Sequence, residues 1–290
     1  MWSTPDMPAR IVAMALIPGI VRRGETVRRH TEYGVYGRAT WQWWCERNGI
    51  NFVVLDQPPE DAGFRRLPPT LQRWLAIESL AAKFGEDAEI TMVDADTMIH
   101  WDAPSPFEHS PGTIRAVRDG SARWNEDGIR AFAPLFPGLD LHWWETVNTG
   151  VVVIPAACHK LFREFVEFTR LHSAEILKIT RAANVGTDQP LLNCYLRAAG
   201  VRMEYLPLPF NLLNCVNIHP IEAMLAASSR KELNRILSLD RLYEFIDLAW
   251  IWHFTNVVGA RDRAMKETWK RIRHHYPGAD IPGPVTPISR

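Results

Sequence analysis

The sequence predicts an α/β fold, a mixed but mainly parallel sheet flanked by helices, on three observations. Short β-branched apolar runs alternate with amphipathic stretches of helical length through most of the 290 residues. Turn signals punctuate them at Pro18-Gly19, Asn48-Gly49 and Pro58-Pro59. One apolar run, residues 90–93, ends in two aspartates, Asp94 and Asp96. A central strand of an open α/β sheet delivers its C-terminal end to a ligand crevice, which is where such side chains belong.

The elements follow in order. "RIVAMALI" (10–17) reads as the first strand. Its apolar run could pass for a signal-peptide core, but no strongly basic flank precedes it and no small-residue cleavage site follows. An aromatic-rich helix around 41–47 is ended by Asn48-Gly49. "INFVVLD" (50–56) is the second strand. Across 68–85, Leu71, Trp74, Leu75, Leu80 and Phe84 share one helical stripe, and Gly85 is placed to cap it. The aspartate-bearing strand comes next, and then a loop-rich stretch from 104 to 141. "NTGVVVIPA" (148–156) is a strong strand and "KLFREFVEFTRLH" (160–172) an amphipathic helix. "DQPLLNCYLRAAG" (188–200) reads as a short helix with Pro190 in its first turn. "VRMEYLPLP" (201–209) is strand-like, and "LYEFIDLAWIWHF" (242–254) supplies a helix and a strand. No internal repeat is visible. These elements form one domain, 1–276, followed by a proline-rich tail, 277–290.

Composition narrows the function. Lys plus Arg and Asp plus Glu both number 33, so no global charge marks a nucleic-acid or membrane binder. The basic runs "VRRGETVRRH" and "KRIRHH" read as solvated faces. Cys45, Cys158, Cys194 and Cys215 form no CxxC pair, which argues against a zinc site or disulfide scaffold and for a reducing compartment. No run approaches the roughly 20 apolar residues of a membrane span. The expectation is a soluble, cytoplasmic protein.

Asp94 and Asp96 carry the chemistry. Unpaired ionised carboxylates are costly to bury, and strand alternation would set this pair on one face. Two like charges there need a cation between them. A hard divalent ion takes oxygen ligands and commonly shares its shell with a substrate phosphate. Three further segments carry candidates: Asn148 at the entrance to a strand, Asp188 and Gln189 at a helix start, and His253 after an aromatic strand. Each also has an ordinary reading. Asp188 suits a helix cap, and His253 beside Trp250 and Trp252 suits a satisfied core histidine.

In this order the segments resemble the GT-A glycosyltransferases, closest to glycosyltransferase family 8, which includes glycogenin and bacterial galactosyltransferases. The matching positions are Asp94-Ala95-Asp96, Asn148-Thr149-Gly150, Asp188-Gln189 with Leu192-Asn193, and His253-Phe254, spanning residues 10 to about 256. The resemblance implies a Rossmann-like nucleotide-sugar-binding fold and a hexosyltransferase-like activity that retains configuration. The implied donor is a nucleotide-diphosphate sugar, with a UDP-sugar favoured. Mn²⁺, or alternatively Mg²⁺, would be held by Asp94, Asp96 and His253, and an imidazole ligand suits the transition metal better. Arg73, Asp94, Ala95, Asp96, Leu16 and Ile17 would face the donor, while Asp188, Gln189 and Asn148 would line the sugar. The acceptor stays open between a glycan, a protein hydroxyl, a small molecule and a modified base.

This chain departs from the pattern after His253-Phe254. The family continues with Gly and then Lys-Pro-Trp, the lysine gripping the donor phosphates. Here Asn256 replaces the Gly and no Lys-Pro-Trp follows, which leaves Arg261 or Arg263 for that contact. Trp143 and Trp144, just before the Asn-x-Gly strand, are a candidate sugar platform or else ordinary buried aromatics. The rival readings are a haloacid-dehalogenase-type phosphatase, a nucleotidyltransferase, and a non-catalytic module binding a sugar nucleotide or glycan. The phosphatase motif wants Thr or Val where Met98 stands. A nucleotidyltransferase would carry a better glycine-rich signature than "ALIPGIVRRGE".

Overall fold

The computed structural model describes residues 8–17, 33–57, 67–109, 112–213, 229, 231, 243–255, 261–279 and 281. Pro18-Gly19, Pro58-Pro59, Cys215, Asn256, the basic run at 21–30 and most of the tail lie outside them.

Six strands form the main sheet in the order β2-β1-β3-β6-β5-β7. They are β1 (Arg10–Ala15), β2 (Asn51–Leu55), β3 (Glu89–Asp94), β5 (Ile114–Arg118), β6 (Val147–Pro155) and β7 (Met203–Leu206). β1 is parallel to β2 and β3, and β5 is parallel to β7, whereas β6 runs antiparallel to both β3 and β5. The reversal of β6 matters for the site. It brings the start of β6 to the same sheet edge as the ends of β1, β3 and β5. Residues 16–17, Asp94, Asp119 and Asn148 therefore meet along one rim.

Helices α1 (Gly34–Arg47), α2 (Pro69–Gln72), α3 (Ala76–Phe84), α4 (Ala122–Phe132), α5 (His159–Leu171), α6 (Ser173–Ala183) and α7 (Asp188–Ala198) pack around this sheet. β3 and β6 are apolar and buried along almost their whole length, as strands covered on both faces must be. One face joins Ile90, Met92, Val152 and Ile154 to Trp74, Ile77, Phe162, Phe165 and Leu192. The other joins Val12, Met14, Val93 and Val151 to Trp41 and Trp44.

A second, three-stranded sheet of order β4-β9-β8 closes over the rim. It comprises β4 (Thr97–Ile99), β8 (Leu212–Leu213) and β9 (Ile251–His253). β9 follows the short helix α8 (Phe245–Leu248), and α9 (Arg261–Ile272) packs beneath through Met265 and Trp269.

Four expectations change. The stretch 104–141 is not mainly loop: it holds β5 and α4. β5 reads "IRAVR", and its second residue, Arg115, is 1% exposed and paired with Glu89, so the buried charge masked the strand. α6 was not foreseen at all. The helix over 68–85 breaks at a 3-10 turn, Arg73–Leu75, between α2 and α3. Asp96 is not in the strand with Asp94: β3 ends at Asp94, and a turn carries Ala95 and Asp96. Gly85 does stand at the end of α3, with φ +94°.

Candidate active site

The turn after β3 is held by its neighbours. Thr97 Oγ1 donates to the Asp94 carbonyl at 2.6 Å, and the Phe254 N–H donates to the Asp96 carbonyl at 2.9 Å. β4 and β9 pair so that Thr97 faces His253. Helix α1 sits directly over the turn because residue 37 is glycine. A Cβ there would lie 2.5 Å from the Thr97 carbonyl oxygen and 2.8 Å from that of Ala95.

His253, Asp94 and Asp96 then converge. His253 Nε2 lies 3.3 Å from Asp96 Oδ1 and 3.7 Å from Asp94 Oδ2. One ligand atom from each of the three falls within 4.8 Å of the others. The second oxygen of each carboxylate is already held by an arginine. Asp94 Oδ1 pairs with Arg73 Nη1, and Asp96 Oδ2 lies 3.0 Å from Arg261 Nη1. Two oxygens and one imidazole nitrogen are left facing one another, a donor set that fits a small divalent cation with room for further oxygen ligands.

Burial and pairing shape the charges. Burial pushes the Asp94 carboxyl up, Arg73 opposes it, and Asp96 adds to it, leaving the group raised. Burial also pushes Asp96 up, but His253 and Arg261 outweigh it and hold the carboxyl at about 2. Burial lowers His253, and Asp96 and Asp94 more than offset this, so the imidazole is raised above its ordinary value.

Arg73 is the hub of the rim. The 3-10 turn aims it inward, where it is 1% exposed. Its Nη2 donates to Asp188 Oδ2 at 2.6 Å and to the Thr149 carbonyl at 3.0 Å. Asp188 opens α7, but its carboxylate is not spent on a cap: Oδ2 takes Arg73 and the Thr149 hydroxyl, the latter at 3.2 Å. Thr187 is the N-cap, with no side-chain cap bond.

Gln189 and Asn148 meet, with Asn148 Nδ2 donating to Gln189 Oε1 at 2.8 Å. Two residues that sequence reasoning missed complete the network. Asp119, 5% exposed at the end of β5, accepts from Gln189 Nε2 at 2.7 Å. Asn211, fully buried ahead of β8, donates from Nδ2 to Asn148 Oδ1 at 2.8 Å and faces His253 Nδ1 at 3.1 Å. Only a correct strand assignment at 114–118 would have flagged Asp119, and Asn211 sat in no motif. Gly150 is the floor under the imidazole: a Cβ there would lie 2.2 Å from His253 Cε1.

The remaining candidates lie nearby or apart. Leu16 and Ile17 leave β1 at the rim, and the Leu16 N–H donates to the Leu55 carbonyl at 2.9 Å. Ala95 is buried in the turn. Of the two candidate arginines, Arg261 and Arg263, it is Arg261 that reaches Asp96, and its guanidinium also lies over the Tyr33 ring. Trp143 is half-buried, and Trp144 is 49% exposed and stacks on His142.

No family model matches the chain, and no curated protein matches it. Solved structures do. A glycosyltransferase involved in glycosylating the major capsid of PBCV-1 aligns over 89% of this chain and 99% of its own, at 12% identity and a TM-score of 0.52. The galactosyltransferase LgtC, solved with donor and acceptor sugar analogues, aligns over 92% and 99% at 13% identity and a TM-score of 0.43. Mouse xyloside xylosyltransferase 1 aligns over 86% and 98% at 9% identity and a TM-score of 0.44. The first of these likenesses establishes the fold class: a mixed α/β sheet of the glycosyltransferase GT-A type, as the sequence motifs implied. Among the described residues, no helix is long and apolar enough to cross a membrane.

Proposed function

We propose that this chain is a metal-dependent glycosyltransferase that moves a sugar from a nucleotide-diphosphate donor, a UDP-sugar by preference, to an acceptor that stays open between a glycan, a protein hydroxyl, a small molecule and a modified base, with retention of configuration. One observation carries the reading: Asp94 Oδ2, Asp96 Oδ1 and His253 Nε2 face one another at the sheet rim, and Arg73 ties Asp94 to Asp188 beside them. Mn²⁺ held by these three residues would neutralise the diphosphate as it leaves. The uridine preference, the retention and the choice of Mn²⁺ over Mg²⁺ rest on the sequence resemblance.

The chain's own residues do the rest. Arg261, bonded to Asp96 and anchored through Nε to the Phe254 carbonyl at 3.0 Å, offers a cation beside the carboxylates that could take the phosphate contact the family gives to its lysine. Arg73 holds the Asp188 carboxylate through Oδ2, and Oδ1 has no hydrogen-bond partner among the described residues. That oxygen is available to a sugar hydroxyl or to positive charge developing at the anomeric centre. Gln189 is committed at both ends of its amide, to Asp119 and to Asn148, so it shapes the pocket wall and Asp188 carries the charge.

The test is a panel of nucleotide sugars incubated with the protein and Mn²⁺, following release of the nucleoside diphosphate and the anomeric configuration of any product. Release from one UDP-sugar that stops on chelation supports the reading. Binding without turnover across the panel and a range of acceptors would favour the non-catalytic module.

A further inference from the structure

Asn211 is fully buried and lies between Asn148 and His253. Its orientation follows from groups that can only donate or only accept. The Gly150 N–H donates to Asn148 Oδ1 at 2.8 Å, so the oxygen end of that amide is fixed by the main chain. The Thr149 N–H, at 3.3 Å, likewise fixes Gln189 Oε1, and the Asp119 carboxylate takes the Gln189 Nε2 end. With Asn148 Oδ1 set as an acceptor, Asn211 must turn its NH₂ toward it. The Asn211 carbonyl oxygen then faces His253 Nδ1, and a carbonyl can only accept. Nδ1 must therefore carry a hydrogen.

We infer that Asn211 is a positioning residue that fixes the Nδ1–H tautomer of His253 and so makes Nε2, the atom facing Asp94 and Asp96, the ligating nitrogen. The hydrogen bond on one ring nitrogen decides what the other can do. A neutral histidine side chain in water favours the opposite tautomer, with its hydrogen on Nε2, which would block the lone pair a metal needs. Gly150 takes part by giving the ring room: its N–H sets Asn148, and its missing Cβ admits the imidazole. The string running from Asp119 through Gln189, Asn148 and Asn211 thus ends on the metal-facing histidine. Asp96 Oδ1, 3.3 Å from Nε2, likewise only accepts, so the charged metal-free ring carries a hydrogen on each nitrogen and the Nε2 hydrogen is the one a cation displaces; that consequence rests on the function proposed above, whereas the hydrogen on Nδ1 does not.

The first test needs no metal. Nitrogen-15 NMR of the imidazole rings, with His253 assigned by comparison with His253→Gln, reports the tautomer of the neutral ring in the wild-type protein. A hydrogen on Nδ1 is expected, and a neutral ring with its hydrogen on Nε2 and none on Nδ1 would overturn the inference. The second test titrates Mn²⁺ by electron paramagnetic resonance against wild type, Asn211→Leu and Asn211→Asp. Loss of an outer-shell partner typically weakens metal binding about 10–100-fold, and that loss is expected for Asn211→Leu. Asn211→Asp should keep Nδ1–H, since one oxygen can accept from the ring while the other, protonated, donates to Asn148. A folded Asn211→Leu protein with wild-type Mn²⁺ affinity would overturn the role. A wild type that binds no Mn²⁺ would overturn the metal reading, and the tautomer would still be decided by the first measurement.

Discussion

Asp94 and Asp96 each divide their two oxygens between an arginine and His253. Before any metal binds, the like charges are already balanced by Arg73, Arg261 and the imidazole. The cation demanded by two neighbouring carboxylates is thus partly supplied by the protein. Arg73 does most of this, since it is buried and bonded to both Asp94 and Asp188. Removing one partner of a buried ion pair leaves uncompensated charge and costs about 3–5 kcal/mol. Arg73→Met should therefore lower the melting temperature by on the order of ten degrees; a melt within a degree or two of wild type would show that the pairs contribute little. Asp94→Asn and Asp96→Asn should instead keep the fold while losing Mn²⁺ binding and transfer, and rates within a few-fold of wild type would rule out the metal role. Asp188→Asn should lower turnover more than donor affinity, because its uncommitted oxygen acts where charge develops. A steady-state kcat and KM comparison separates the two effects.

Elements bring these residues together, and here the sequence was legible in part. The Asp-bearing strand, the Asn-x-Gly strand, the helix opening at Asp188 and the late strand ending at His253 could all be read from apolar runs with polar ends. The reversal of β6 could not, because a fully apolar strand looks the same in either direction. Nor could the inward turn of Arg73, which depends on the 3-10 break between α2 and α3 rather than on the helical stripe around it. Asp119 and Asn211 stayed hidden because their value lies in contacts 70 and 42 residues away in sequence, with Gln189 and His253. Gly150 shows how one element constrains another. The Asn-x-Gly glycine needs no unusual backbone angle; it is required because β9 lays an imidazole against β6. Gly150→Ala should displace His253 and weaken Mn²⁺ binding. Combining it with His253→Ala should cost less stability than the sum of the single changes, because the clash has gone. Additive losses in paired thermal melts would mean that the ring does not pack there.

Across the whole molecule, the site links proton, metal and nucleotide binding to stability. His253 and Asp94 both titrate higher in the fold than their ordinary values. A group raised in the folded state holds its proton more tightly there. For His253 the stabilisation is complete below its unfolded pKa, near 6.5, and is lost as pH rises through the folded value. Asp94 acts in the same direction at lower pH, since ionising it in the fold costs more than in the unfolded chain. Asp96 acts oppositely: its contribution is present above about 3.9 and lost as pH falls toward about 2. The metal-free protein should thus lose stability as pH rises beyond the ordinary histidine range. A metal ion replaces the His253 proton on Nε2, so its stabilising effect should grow over the same interval. The nucleotide adds to this only with the metal present, because two carboxylates and one imidazole leave several coordination positions for phosphate oxygens. UDP alone and Mn²⁺ alone should each shift the melt little. Together, at about a hundredfold above Kd, they should add roughly 2.7 kcal/mol, or several degrees at about 2–4 °C per kcal/mol. Melts at pH 6 and pH 8, with GDP and ADP as controls, measure both effects. Additive shifts would mean that metal and nucleotide occupy separate sites, equal shifts at the two pH values would remove His253 from the metal shell, and equal responses to the three nucleotides would remove the preference for uridine.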